Sequence, residues 1–153
     1  WPYVISVQRN IGPMGLPLTK PPYRRITAID LNTGEHVWQI PFGKGPSNHP
    51  LLEHLELPEL GSVFTDVSAE GGILVTKGLV ISHLPQKDEV HEDAEGSVLV
   101  AYDKFTGEKV GEILVDRRLH GPVMSYLYNG RQYIAVAGGR FDTAEMISFV
   151  LPN

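Results

Sequence analysis

Short runs of alternating apolar and polar residues dominate the chain. Two such runs, 25–30 and 35–40, flank the turn sequence Asn32-Thr33-Gly34. Successive side chains of a strand point to opposite faces of the sheet, so this alternation predicts strands with one buried face. The predicted strands are 25–30, 35–40, 73–76, 79–83, 98–102, 109–115, 123–128, 132–137 and 145–150, with 3–7 as a further candidate.

Helical periodicity is almost absent from the sequence. The best candidate is 49–60, in which Leu51, Leu52 and Leu55 would share one face and Pro58 would end the helix. We therefore expect one short surface helix at most. The dipeptide Asn129-Gly130 between two strand-like runs is a strong hairpin signal, and the chain as a whole is predicted to be all-β.

One strand–turn–strand signature occurs twice. The sequence Ala-x-Asp-x-x-Thr-Gly-Glu spans 28–35 and returns at 101–108. Its Asp can accept backbone N–H groups of the turn, and its Gly supplies the positive φ that the reversal needs. Trp38 follows the first copy, whereas Gly111 takes the equivalent place after the second. We expect Trp38 to fill the space between neighbouring sheets, and the contact at Gly111 to be weaker.

The interval between the two copies indicates the architecture. Antiparallel four-stranded sheets that recur every 40–50 residues or so are typical of β-propeller blades. The observed interval is longer, and the excess matches an irregular insertion near 43–72 that is rich in Pro, Gly and Leu. We predict a partial β-propeller of antiparallel four-stranded blades, about two to three blades of a larger ring, formed by one domain spanning 1–153.

Composition removes several classes of function. The 153 residues carry a formal net charge of −5 and no cysteine, so thiol catalysis, zinc knuckles, iron–sulfur clusters and Cys-dependent haem attachment are excluded. The negative charge argues against a nucleic-acid partner. No apolar run approaches the roughly 20 residues that cross a bilayer. The chain opens at Trp1 in a strand-like sequence, which we interpret as a processed piece of a longer protein.

The possible metal ligands do not form a recognisable site. His49 and His54 are five residues apart, one more than a shared helical face requires, and we interpret the histidines as surface or capping residues. The acidic residues of 88–95 lack calcium-loop spacing, and Asp30 opens a turn in which Pro41 stands where a bidentate Glu would be needed. No metal-ligating or catalytic residue is predicted. The six histidines are His36, His49, His54, His83, His91 and His120.

An ordered series of motifs resembles the C-terminal part of the pyrroloquinoline quinone (PQQ) dependent dehydrogenases, which are the quinoprotein glucose and alcohol dehydrogenases. The series covers nearly the whole chain and is more specific than any single member of it. Its parts are Leu16–Tyr23, Ile26–Glu35 with Trp38, Pro122–Tyr126, Asn129–Tyr133, Ala135–Gly139 and the final Leu151-Pro152.

The resemblance implies an eight-bladed propeller that holds PQQ and a calcium ion near its axis and oxidises sugars or alcohols, usually in the periplasm. The family's catalytic aspartate, calcium ligands and most quinone contacts come from earlier blades, and no segment here matches them. The isolated chain is therefore expected to be inactive. The segment 16–23 would line the mouth of the substrate funnel, with Lys20 and Arg24 as lesser candidate contacts.

The same resemblance singles out Gly138-Gly139-Arg140. In the family this turn reaches the axial channel, so a backbone N–H or the Arg140 side chain would meet a quinone carboxylate. Arg suits a carboxylate because its planar guanidinium forms two parallel hydrogen bonds. The alternative is a Gly-Gly bulge that ends a strand, with Arg140 solvated or paired with Asp142. We predict Gly138, Gly139 and Arg140 as the cofactor-binding residues.

Three hypotheses follow for the chain. The first is the closing part of a PQQ-dependent dehydrogenase, with the remaining blades and a small sugar or alcohol as its partners. The second is a non-catalytic propeller scaffold that uses the same repeat for structure alone. The third concerns the isolated fragment, whose open edges and apolar faces would favour self-association.

Overall fold

The computed structural model describes residues 12–46, 49–63, 72–85, 96–139 and 143–150. These residues contain nine strands and no α-helix, and each strand matches a predicted run. The candidate strand at 3–7 lies outside the described residues. The strands are β1 (Arg25–Ile29), β2 (His36–Pro41), β3 (Leu74–Val75), β4 (Leu79–Pro85), β5 (Ser97–Asp103), β6 (Lys109–Val115), β7 (Leu119–Tyr128), β8 (Arg131–Gly138) and β9 (Glu145–Val150).

The strands form three antiparallel sheets in chain order. β1 and β2 make a two-stranded sheet, β3 to β6 a four-stranded sheet, and β7 to β9 a three-stranded sheet. Within each sheet every strand pairs with its sequence neighbour, so each sheet is a simple meander. The prediction of an all-β chain with one complete four-stranded unit is confirmed.

The four-stranded sheet is covered on both faces. Val80, Val100 and Tyr102 pack with Ile26 and Phe42, which belong to β1 and to the segment just after β2. The opposite face packs against β7, β8 and β9 through Ile81, Leu99, Val115, Leu119, Val123 and Val136. Because both faces of β4 and β5 are buried, their sequences are nearly continuous apolar runs rather than strict alternations.

The first interface, between the two-stranded and four-stranded sheets, includes Trp38. This residue contacts the repeated turn of the four-stranded sheet. Its indole Nε1–H donates to the Lys104 carbonyl at 2.9 Å. Gly107 lies directly against the indole, since a Cβ atom added there would approach Trp38 Cδ2 to 2.8 Å. The Trp of one copy of the signature therefore packs on the Gly of the other, which confirms its predicted role between sheets.

The second interface, between the four-stranded and three-stranded sheets, lacks this indole contact. A Cβ atom at Gly111 would meet nothing within 4 Å, so the position after the second turn faces open space. Polar contacts connect the sheets here instead. Ser97, almost fully buried, accepts the Leu119 N–H at its Oγ over 2.9 Å.

Both copies of the signature form the predicted turn. Asp30 Oδ1 accepts the Asn32 N–H at 2.7 Å, and Asp103 Oδ1 accepts two N–H groups, from Phe105 at 2.8 Å and Thr106 at 2.9 Å. These backbone bonds favour the ionised carboxylate and lower the pKa of Asp103. The interpretation of Asp30 as a turn residue is confirmed.

The segment between β2 and β3 departs from one expectation. Its described residues contain only a 3₁₀ turn, Glu53–Leu55, instead of the short helix suggested for 49–60. The chain leaves helical geometry at Glu56, whose φ is 47°. Leu60 is buried, and its N–H donates at 2.9 Å to the carbonyl of Lys44, which lies in the segment just after β2. This bond to a residue far back in the sequence replaces helical pairing, so the weak helical pattern does not extend to 60.

Substitution of Gly107 tests the indole contact, and Gly34 supplies a matched control. Both glycines occupy the same turn position with nearly equal φ, +77° and +75°, but only Gly107 has a neighbour within 4 Å. G34A should cost about 1 kcal/mol for the left-handed backbone. G107A should cost about 1–3 kcal/mol more, because its methyl group overlaps Trp38. Urea unfolding measures both values, and equal losses would contradict the contact.

Candidate functional site

Strand β7 begins earlier than predicted and carries a bulge. The register with β8 shifts between His120 and Met124, and Gly121 adopts a φ of 69°. Pro122 cannot donate a ladder hydrogen bond, which is why the sequence pattern placed the start of the strand at 123. The extra residues belong to β7, and a bulge of this kind redirects nearby backbone and side chains.

The predicted residues Gly138 and Gly139 lie at the end of β8, beside the first residues of β7. Gly138 is buried and pairs with both Leu119 and Glu145 across the sheet. Gly139 has a φ of 90°, and a Cβ atom there would collide with the Thr143 carbonyl. The turn therefore requires glycine both for its backbone conformation and for its close packing.

Gly139 has both of its backbone polar groups in use. Its N–H donates to the Arg118 carbonyl at 2.9 Å. Its carbonyl accepts from His120 Nε2 at 2.8 Å. The Gly139 N–H is thus committed within the chain, and Gly139 contributes shape rather than a hydrogen-bond donor.

The other residues predicted as contacts are Arg140, Lys20 and Arg24. Arg140 lies outside the described residues, so its quinone contact stays a prediction. Lys20 is exposed. The Arg24 guanidinium stacks on the Phe42 ring, 4.8 Å from its centroid. The structure leaves the assignment of Gly138, Gly139 and Arg140 as cofactor residues open.

His83 is a functional candidate that the sequence analysis missed. We expected a surface or capping residue, but His83 is only 1% exposed, which corrects that expectation. Its Nε2 lies 2.9 Å from the carbonyl of Gly121 in the β7 bulge. Since a carbonyl only accepts, Nε2 of both His83 and His120 carries the proton. The sequence feature that could have identified His83 is its position in the apolar run of β4, because a buried polar side chain needs a hydrogen-bond partner.

Other histidines agree better with the expectation. His36 and His54 are exposed, and His91 lies outside the described residues. His49 caps the backbone, because its Nδ1 accepts the Leu51 N–H at 3.1 Å. Its Nε2 then donates to the Met14 carbonyl at 3.0 Å, so this ring connects the insertion to the segment before β1.

Burial is the main influence on the protonation of His83. Loss of solvent lowers the pKa of its ring below the ordinary 6.5, and the nearby charges of His120 and Arg24 lower it further. The hydrogen bond to Gly121 acts in the opposite direction without cancelling the effect of burial.

The described residues contain no group of three His, Cys, Asp or Glu side chains that would hold a metal ion.

An open groove separates the outer strand of the four-stranded sheet from β9. Its volume is about 440 Å³. β9 pairs only with β8, so its other edge is unpaired among the described strands. Arg117 crosses the groove to Glu145, with 3.0 Å between Nε and Oε1. The lining residues are Leu114, Val115, Asp116, Arg117, Glu145, Ile147 and Phe149.

No helix among the described residues is long and apolar enough to cross a membrane.

The lowered pKa of His83 predicts loss of stability in acid. Below about pH 6.5 the unfolded chain gains a proton on this ring, whereas the folded chain resists protonation. The free energy of unfolding therefore decreases as the pH is lowered. The slope from one group is at most about 1.4 kcal/mol per pH unit. H83Q should remove this contribution, because Gln does not titrate. Urea unfolding from pH 5 to 8 measures the difference, and parallel curves for both proteins would contradict the prediction.

Comparison with known proteins gives a consistent family. Residues 1–134 match the PQQ family described as the β-propeller domain of glucose/ethanol/alcohol dehydrogenase. The chain is 26% identical to a probable quinate dehydrogenase (quinone) of Xanthomonas campestris pv. juglandis, with 99% of the chain and 19% of that protein covered. It is 27% identical to quinoprotein glucose dehydrogenase A of Acinetobacter calcoaceticus, with 99% and 18% covered.

A third relative is more similar over a shorter stretch. The chain is 32% identical to the glycerol dehydrogenase large subunit of Gluconobacter oxydans, with 82% of the chain and 15% of that protein covered. The chain thus spans less than a fifth of the length of these relatives. With the meander sheets and the Trp38 contact, the family match confirms a partial β-propeller. The chain belongs to the family of PQQ-dependent glucose, ethanol and alcohol dehydrogenase β-propeller domains.

Proposed function

We propose that this chain supplies closing blades and one wall of the quinone site in a PQQ-dependent dehydrogenase that oxidises a sugar or an alcohol. The observation that carries the proposal is the family match over residues 1–134. In this proposal the wall includes the turn at Gly138 and Gly139. It lies at the end of β8, at the bulged start of β7, where backbone carbonyls and two histidines converge.

The chemistry of this turn suits a wall better than a catalytic centre. PQQ is a flat quinone with several carboxylates, and it supplies the redox chemistry when bound. Gly138 and Gly139 present backbone alone, but the space at their Cβ positions is taken by Ile147 and Thr143, and the Gly139 N–H is already bonded to Arg118. In this proposal the charge that attracts a carboxylate comes from Arg140.

The substrate class rests on the names of the relatives. Quinate, glucose and glycerol all carry several hydroxyl groups, and the proposed substrate of the complete protein is a sugar or alcohol of this polyhydroxylated kind. Calcium and a periplasmic location are further parts of the proposal. The calcium ligands and the catalytic base would come from other blades, since this chain carries no match to those motifs.

The remaining blades are the proposed partners. The outer face of the three-stranded sheet is apolar but exposed, with Met124 at 45%, Tyr126 at 44% and Met146 at 61% of their full accessibility. Tyr126 stacks on Tyr133 on this face, with 5.1 Å between ring centroids. Together with the edge of β9 that no described strand pairs with, this face has the character of a blade interface.

Substitution of Arg140 in the complete protein tests the quinone wall. R140A should weaken PQQ binding about tenfold to a hundredfold, because it removes a charge-assisted pair with a carboxylate. R140K should retain part of the affinity, since it keeps the charge but loses the planar fork. Equilibrium titration of the apoprotein with PQQ measures the dissociation constants. Unchanged affinity in R140A would contradict the wall, and absence of any PQQ binding would favour the scaffold hypothesis.

The exposed face of the three-stranded sheet predicts self-association of the isolated chain. Light scattering at several concentrations should show a mass that rises with concentration. M146K should shift this equilibrium toward monomer, because it places a charge in the apolar face. L31K is the matched control, since Leu31 is 95% exposed in a turn far from that face in the sequence and should leave the mass unchanged. A strictly monomeric wild-type chain would contradict the prediction.

A further inference from the structure

Two histidines connect three elements of the candidate site, β4, β7 and the turn after β8. His83 on β4 reaches the Gly121 carbonyl at 2.9 Å. His120, the residue before Gly121, reaches the Gly139 carbonyl at 2.8 Å. The Gly139 N–H then returns to the Arg118 carbonyl at 2.9 Å, two residues before His120. The contacts run from the four-stranded sheet, through the bulge of β7, to the glycine turn after β8.

These contacts act on backbone that has little rigidity of its own. Gly121 has a φ of 69° and nothing within 4 Å of an added Cβ atom, so side-chain packing does not fix it. The regular ladder between β7 and β8 is interrupted between His120 and Met124. At this point the His83 contact connects β7 to β4, beside the buried Leu119 and Val123. His120 directly precedes Gly121, so the two histidine contacts involve adjacent residues of the β7 bulge.

We propose that His83 and His120 are positioning residues for the quinone wall, with His83 fixing the Gly121 carbonyl and His120 fixing the Gly139 turn. The inference rests on the proposed function, because it assigns the histidines a role toward the cofactor. Neither ring touches the cofactor in this scheme. Each acts by holding a backbone carbonyl, and through it the glycine turn that precedes Arg140.

The atoms involved provide a selective test. Both contacts use Nε2, and the amide nitrogen of Gln stands about as far from Cβ as Nε2 does. The amide nitrogen of Asn is one bond closer to the backbone and falls short of the carbonyl. H83Q and H120Q should therefore keep the contacts, whereas H83N and H120N should lose them while remaining polar amides.

The four variants are made in the complete protein, with two measurements on each. Titration of the apoprotein with PQQ should give dissociation constants within about twofold of wild type for the Gln variants. The Asn variants should bind about tenfold more weakly, as expected for loss of one buried hydrogen bond. Amide hydrogen exchange should accelerate over 119–123 and 136–139 in the Asn variants alone. His120 is half-buried, so H120N also serves if H83N fails to fold.

Two results would overturn the inference. The first is equal weakening of PQQ binding by the Gln and Asn variants, which would show that the carbonyl contacts do not matter. The second is unchanged exchange over 136–139, or unchanged PQQ affinity, in the Asn variants. R140A separates this failure from failure of the proposed function. If R140A weakens PQQ binding but the Asn variants do not, the wall stands and only the positioning role is wrong.

Discussion

The fold depends on one constraint, which is that the four-stranded sheet must be covered on both of its faces. Val80 and Val100 point to one side, whereas Ile81 and Leu99 point to the other, and all four side chains are buried. A sheet of this kind cannot exist alone in water, because either face would expose a contiguous apolar surface. The two-stranded and three-stranded sheets provide that cover. Each of them in turn keeps one face that nothing in the described chain covers.

The two interfaces meet the same constraint by different chemistry. At the first, Trp38 combines a large apolar ring with one donor, so a single side chain both fills space and reaches the Lys104 carbonyl. At the second, the position equivalent to Trp38 is Gly111, which faces open space. Buried polar side chains, His83 and Ser97, bond to the backbone of β7 instead. Hydrogen bonds depend more strictly on distance and angle than apolar contacts do. This interface therefore depends on the backbone path of β7.

Local patterns predicted most of the fold, because strands and tight turns are encoded over a few residues. The repeated turn is the clearest case, since Asp103 and Gly107 act within one short loop. The predictions failed where contacts between residues far apart in the sequence determine the structure. His83 looked like any other strand histidine, and its burial depends on a bulge almost forty residues later, at Gly121. The helix suggested for 49–60 failed because the chain leaves helical geometry at Glu56 and the Leu60 N–H bonds to the distant Lys44. For the candidate site, no local sequence pattern could show that the Gly139 N–H already bonds to the Arg118 carbonyl.

The stack also constrains what the rest of the protein must do under the proposed function. The three sheets follow one another face to face, so the two uncovered faces lie at opposite ends of the stack. The outer face of the first sheet is more polar, with Gln39 bonded to Thr27 at 2.9 Å, whereas that of the last sheet carries Met124 and Met146. A dimer of the chain through its apolar face would still leave the more polar face uncovered. A ring removes both ends at once. Under the proposed function, the further blades would cover a more polar face at one end of the stack and an apolar face at the other.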